Sequence, residues 1–143
     1  MIFLHLISYL SMVLKPYPLI ILILFSQLLK AQTFTGTGGA IPDNGTSVDF
    51  PIVVSGLPDT IDTLNFGVET VCIDLIHTWD SDLEISLIAP DGSQVMLSAG
   101  NGGSGDNYTN TCFNYYSANS ITQGSAPFTG FFKPQGQLGI VNN

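Results

Sequence analysis

Apolar and polar residues alternate along several short stretches after residue 47. In SVDFPIVV, residues 47–54, the side chains of Val48, Phe50, Ile52 and Val54 share one parity. A period of two is typical of a strand with one buried face, so a strand is predicted here. Pro51 falls on the opposite parity and has no N–H to donate to a neighbouring strand, so we expect this to be an edge strand.

Two more alternating runs follow along the chain. The first changes parity near Glu69 and Thr70, which predicts a bend or bulge there; its apolar positions are Leu64, Phe66 and Val68, then Val71, Ile73 and Leu75. The second is DLEISLIAPDGSQVMLS, in which Leu83, Ile85 and Leu87 alternate with polar residues and Val95 and Leu97 lie on a return strand. Pro90, Asp91 and Gly92 between these segments predict a hairpin turn, because proline and aspartate favour turns and glycine accepts a left-handed backbone.

After residue 31, no stretch shows a sustained helical period. Several short strands separated by turns predict an all-β, jelly-roll-like β-sandwich. The chain ends in GQLGIVNN, just after a possible strand start. We therefore expect a sandwich truncated at its C-terminal strands, with exposed edges.

The N-terminal third has a different composition. Residues 1–31 are mostly apolar, but Lys15, Pro16 and Pro18 interrupt them and leave Leu19 to Phe25 as a short apolar core. Such a core is too short to span a bilayer and is typical of a secretory signal peptide, with the true start at Met12 as an alternative. We predict cleavage after Ala31, a leader at 32–47 and one domain at 48–143. An uncleaved membrane anchor is the rival interpretation.

Removal of residues 1–31 would leave Lys133 as the one lysine or arginine against eleven acids, a formal charge of −10 with His77 neutral. Such a surface lacks the cations that nucleic-acid binding requires, so nucleic acid is excluded as a partner. Two cysteines, Cys72 and Cys112, remain in a chain predicted to be exported to the cell surface or medium. An even count in an oxidising compartment favours a disulfide over free thiols or a zinc site.

The acidic loops suggest metal binding rather than catalysis. Asp80, Asp82, Asp106 and Asn107 carry the hard oxygen ligands that calcium prefers, although neither an EF-hand nor a calcium nonapeptide repeat fits their spacing. The alternative is that these residues cap turns and face solvent. His77 would be the only base for a serine-hydrolase triad, but the chain has no GxSxG motif, so we expect His77 to be structural.

The glycines and aromatic residues offer two further interpretations. Gly100, Gly102 and Gly105 satisfy GxGxxG, but the segment that follows is a poor helix and no acidic residue comes after Asp106, so dinucleotide binding is rejected. A second set of residues is aromatic and could form a platform for a glycan, or could pack inside the sandwich: Trp79, Tyr108, Phe113, Tyr115 and Tyr116.

Three segments together resemble the P domain, also called the Homo B domain, of proprotein convertases related to kexin and furin. They are HTWDSDLEISLIAPDGS, LSAGNGGSGDNYTNTCF and APFTGFFKPQGQL, and the similar region covers about residues 48 to 141. The likeness is greatest to the version found in secreted and surface proteins of bacteria.

In convertases this domain is a β-sandwich that follows a subtilisin-like catalytic domain and stabilises it. For this chain the resemblance implies a non-catalytic, secreted β-sandwich that serves as a stabilising, calcium-binding or interaction module of an exported or cell-surface protein. The expected partner is a protein domain in the same or another chain. His77, Pro90 and Gly92 would be structural, and neither His77 nor Asp82 would belong to the protease's catalytic triad. Calcium binding by bacterial members would favour Asp80, Asp82 and Asp106 as ligands. Two alternatives stay open: an accessory piece of a serine endopeptidase, and a glycan-binding or adhesive module.

Overall fold

The computed structural model describes residues 32–58 and 67–142. The chain divides into two compact units, Met1–Leu57 and Pro58–Asn143. The predicted signal peptide and the positions Leu64 and Phe66 lie outside the described residues. Within the described ranges, no helix is long and apolar enough to cross a membrane.

In the first unit, residues 48–54 form no strand, so the predicted edge strand is wrong. Their apolar side chains are exposed, Val53 to 81%. Gly36 lies close to this segment, since a Cβ there would come within 2.9 Å of the Pro51 carbonyl oxygen. The alternation was misleading because a strand also needs a pairing partner, and Pro51 removes one of the donors that pairing would use.

Within residues 67–142, the second unit has five strands in two sheets, as the all-β prediction requires. They are β1 (Thr70–Leu75), β2 (Glu84–Ile88), β3 (Gln94–Ala99), β4 (Tyr108–Asn114) and β5 (Phe128–Phe132). One sheet has the order β1-β4-β5, and the other pairs β2 with β3. Strand β4 runs antiparallel to β1 and parallel to β5. Short 3-10 helices cover Asp80–Asp82, Ile121–Gln123 and Leu138–Asn142. The last one corrects the expected strand start near the C-terminus.

The β2–β3 hairpin is confirmed, and its turn is the one that the sequence predicts. Gly92 adopts φ 87° and donates its N–H to the Ala89 carbonyl at 2.9 Å. The carboxylate of Asp91 accepts from the backbone N–H and the hydroxyl of Ser93. These two bonds lower the pKa of Asp91. The turn therefore fixes the register in which Ile88 faces Gln94.

The β1–β4 pair carries the predicted disulfide. Cys72 lies directly opposite Cys112 in the ladder, and their sulfurs are bonded. The register shifts between Ile73 and Leu75, so the irregularity lies inside β1 rather than near Glu69 as expected. At that point the Asp74 side chain accepts the Asn110 N–H at 2.7 Å. A side chain there supplies an acceptor where the regular ladder is interrupted.

The hydrophobic core of the second unit is built from side chains of β3, β4 and β5 and of the second and third 3-10 helices. Its fully buried members are Val95, Leu97, Tyr108, Phe113, Ile121, Phe128 and Leu138. The rings of Tyr108 and Phe128 stack at 4.6 Å, and Phe132 meets Phe128 edge-on at 5.9 Å. Aromatic pairs of this geometry add to the stability that burial gives. Phe128 also lies against two loops, since a Cβ on Gly102 or on Gly124 would come within 2.9 Å of its ring.

Candidate metal centre

A glycine-rich loop, residues 100–107, wraps around the chain that connects β1 to β2. The Asp80 N–H donates to the Gly105 carbonyl at 2.8 Å, and the Ser81 N–H donates to the Gly103 carbonyl at 3.2 Å. Asp80 is the first residue of the 3-10 helix Asp80–Asp82. Main-chain bonds between these two segments thus hold the first predicted metal ligand against the loop.

The next residues of the loop extend this attachment. Asn107 donates its N–H to the His77 carbonyl at 3.0 Å, and the Asn107 side-chain oxygen accepts the His77 N–H at 3.1 Å. The Asp106 carboxylate accepts the Trp79 N–H at 3.3 Å. His77 is half-buried, and its backbone is part of this pairing.

Gly102 explains why the loop is rich in glycine. Its φ is 90°, and a Cβ on it would lie 2.8 Å from the Asp80 Cβ and 2.9 Å from the Phe128 ring. Gly105 is equally close to Ala126, at 2.6 Å. Glycine is required here for a left-handed backbone and a close approach. The GxGxxG spacing therefore serves to pack the loop on Asp80 and the core.

Asp80 is the unusual residue of this site. Its side chain is fully buried, and neither of its carboxylate oxygens makes a hydrogen bond. Burial raises the pKa of the Asp80 carboxyl. The Asn107 N–H, which donates to the His77 carbonyl but lies near the carboxyl, lowers this pKa, the Asp106 charge raises it, and His77 lowers it. A buried carboxylate without a donor is costly, because it has lost its water and gained no replacement.

The four predicted ligands are not equally placed. Asp106 and Asn107 lie on the loop that packs against Asp80, whereas Asp82 is exposed at the end of the 3-10 helix. Among the residues that the structure describes, no three His, Cys, Asp or Glu side chains form a metal-binding group. A cation at Asp80 would therefore have to be completed by amide, main-chain or water oxygens, which are common ligands of calcium.

A buried polar network beside the loop was missed in the sequence. The hydroxyls of Ser98 and Tyr108 are 2.9 Å apart, and the Asn101 amide donates to the Ser98 hydroxyl at 2.8 Å. The same amide donates to the Gln135 side chain at 3.0 Å. Burial raises the pKa of Tyr108. Only the polar Ser98, which follows Val95, Met96 and Leu97 in β3, could have indicated this network.

The proposed aromatic platform has to be corrected. Tyr108 and Phe113 are buried in the core and cannot contact a glycan, so they take the packing role that was the alternative. Trp79, Tyr115 and Tyr116 are exposed. The Lys133 ammonium lies 4.7 Å from the centre of the Tyr115 ring, in the range of a cation–π contact.

Part of this chain is similar to a known protein and to a known protein family. The leupeptin-inactivating enzyme 1 of Streptomyces exfoliatus is 37% identical over 83 residues, which cover 56% of this chain and 18% of the relative. The chain thus spans less than a fifth of that relative's length. No solved structure matches the chain. The family model of the proprotein convertase P-domain matches residues 68–126, a segment that contains β1 to β4, the disulfide and Asp80. The resemblance to the P domain is thereby confirmed for residues 68–126.

Proposed function

We propose that the second unit is a non-catalytic accessory domain of a secreted subtilisin-like serine protease. The match of residues 68–126 to the proprotein convertase P-domain carries this proposal. The Cys72–Cys112 disulfide supports export, because such bonds persist in oxidising compartments. The domain would act by packing on a catalytic domain and raising its stability. The catalytic domain, and not this one, would hydrolyse peptides.

The open reading frame on both sides of this segment provides the first test. A subtilisin-type set of aspartate, histidine and serine in the same frame is the expected result. The whole gene product should then hydrolyse a fluorogenic peptide, and inactivation of that activity on heating should be faster when both cysteines are replaced by alanine. An equal rate of heat inactivation with and without the disulfide would contradict a stabilising role. A gene product without peptidase activity would contradict the protease context.

A role for calcium in this domain is the second part of the proposal, carried by the buried Asp80 carboxylate. A cation there would supply the positive charge that neither oxygen of Asp80 now receives from a hydrogen bond. Asp106 and Asn107 lie on the loop that packs against Asp80, so their side chains are the nearest candidates for further ligands. Asp82 is exposed and would bind the cation only from that exposed position. Calcium fits this donor set because it accepts carboxylate, amide and main-chain oxygens together.

Thermal unfolding of the purified chain tests the calcium proposal directly. Since a ligand that binds only the folded state stabilises it, millimolar calcium should raise the melting temperature relative to chelator. Magnesium at the same concentration serves as the control for ionic strength and should have a smaller effect, because it requires stricter geometry. Identical melting in calcium and chelator would exclude the site.

A further inference from the structure

The four residues that lead from β1 to the first 3-10 helix, residues 76–79, form a loop that we call the Trp79 loop. It presents two large apolar side chains to solvent, Ile76 at 92% and Trp79 at 58% exposure. Its backbone is nevertheless held in place, by the paired bonds between His77 and Asn107 and by the bond from the Trp79 N–H to Asp106. The loop therefore offers exposed apolar groups on a fixed backbone.

The conformation of Trp79 strengthens this point. It adopts φ 58° and ψ 69°, a left-handed backbone that a bulky aromatic residue rarely takes. Bonds on both sides keep it there, since its carbonyl accepts the Asp82 N–H at 2.9 Å while its own N–H donates to Asp106. A backbone that is already fixed loses less conformational freedom when a partner binds, which favours recognition.

The charges around the loop indicate what that partner carries. Asp82 and Asp106 are exposed, and their backbone and side-chain bonds place them beside Trp79. Within residues 32–58 and 67–142, Lys133 is the one lysine or arginine, and its ammonium lies over the Tyr115 ring. The described part of the chain therefore brings no lysine or arginine of its own to the indole.

We propose that the Trp79 loop binds a cationic side chain, arginine or lysine, of a polypeptide partner. A tryptophan face is the best aromatic acceptor for such a cation, and neighbouring carboxylates attract the same charge. The apolar stem of the arginine or lysine would pack against Ile76. This inference rests on the Trp79 loop alone and holds whether or not the domain accompanies a protease.

Trp79 is the single tryptophan of the chain, so its fluorescence reports this contact specifically. The experiment titrates the full chain, in chelator and at low ionic strength, with the peptide Ala-Arg-Ala-Arg-Ala and with a matched peptide carrying glutamine at both arginines. A saturable fluorescence change with the arginine peptide is expected, weakened by added salt, and no change with the glutamine peptide. Equal responses to the two peptides would overturn the proposal.

Variants measured by calorimetry complete the test. Trp79→Ala should weaken binding of the arginine peptide by about fivefold to tenfold, and Trp79→Phe by less, because phenylalanine is a poorer cation acceptor. Asp82→Asn should weaken it by about twofold to threefold through the lost charge. Tyr116→Ala, at a residue that is 84% exposed in another loop, is the matched control and should bind normally.

Two further outcomes would overturn the proposal. One is unchanged binding by both Trp79 variants, with melting curves that show them folded. The other is saturable binding of neutral oligosaccharides with none of the arginine peptide, since a sugar would stack on the indole without using the carboxylates. Neither outcome depends on the reading frame or on peptidase activity, so failure here stays distinct from failure of the accessory role.

Discussion

Replacement of Asp80 by asparagine separates the cost of burying its charge from the gain of binding a cation. The substitution keeps the size of the side chain and removes its charge. In chelator, the wild-type carboxylate is fully buried without a hydrogen bond. An unsatisfied buried polar group costs about 1–3 kcal/mol, and a charged one costs more. Because Asp80→Asn keeps a polar group without a partner and removes only the charge, it should be more stable than the wild type by the extra cost of the charge, on the order of 1 kcal/mol.

Calcium should then affect the two proteins differently. At a hundred times its dissociation constant, a ligand stabilises the folded state by about 2.7 kcal/mol. For a domain of this size, such a gain raises the melting temperature by about 10–20 °C. The wild type should show this rise, and Asp80→Asn should show almost none. Loss of the response requires Asp80 itself to be a ligand.

Urea unfolding in chelator and in saturating calcium measures both effects. Glu84→Gln is the matched control, because it removes an exposed carboxylate from the nearby strand β2 and should keep the full calcium response. If Asp80→Asn is less stable than the wild type in chelator, the carboxylate stabilises the metal-free fold and the reasoning on burial is refuted. If all three proteins respond equally to calcium, the ion binds elsewhere.

Two further predictions concern the covalent and steric supports of the fold. Replacing Cys72 and Cys112 by alanine opens a bond that spans 40 residues and should cost about 3–4 kcal/mol in urea unfolding; a cost below about 1 kcal/mol would contradict the chain-entropy argument. Gly102→Ala should cost about 2–4 kcal/mol, because its Cβ would meet Asp80 at 2.8 Å in addition to the positive φ. Gly103→Ala has a positive φ but open space and should cost only about 1 kcal/mol, so equal losses would show that contact with Asp80 is unimportant.

Local sequence signals predicted the parts of this fold whose causes are local. The β2–β3 hairpin follows from alternation and from a turn in which Asp91 and Gly92 meet their own requirements without distant partners. The predicted strand at 48–54 failed because pairing is non-local and alternation alone does not supply a neighbour. The parallel pairing of β4 with β5 likewise depends on a crossover that no local pattern specifies.

The candidate metal site shows the same division. The residue types and the acidic composition indicated Asp80, Asp82, Asp106 and Asn107 together. The difference between a buried Asp80 and an exposed Asp82 depends on where the loop 100–107 crosses the 3-10 helix. That crossing is fixed by contacts of Gly102 and Gly105 with residues far along the chain. The spacing of the glycines is visible in the sequence, but only the fold shows that Gly102 and Gly105 allow the loop to approach Asp80, Phe128 and Ala126 closely.

The loop 100–107 joins the two proposed sites, and this connection makes a last prediction. The Asp106 carboxylate accepts a hydrogen bond from the backbone N–H of Trp79, and the loop that carries Asp106 packs on Asp80. A calcium ion bound at Asp80 and Asp106 would change the charge beside the only indole of the chain. Calcium alone should therefore alter the fluorescence of Trp79, and Asp80→Asn should abolish the change. If the fluorescence change survives in Asp80→Asn, the ion binds near Trp79 but away from the buried carboxylate. If calcium raises the melting temperature without changing the fluorescence, the ion binds away from Asp106.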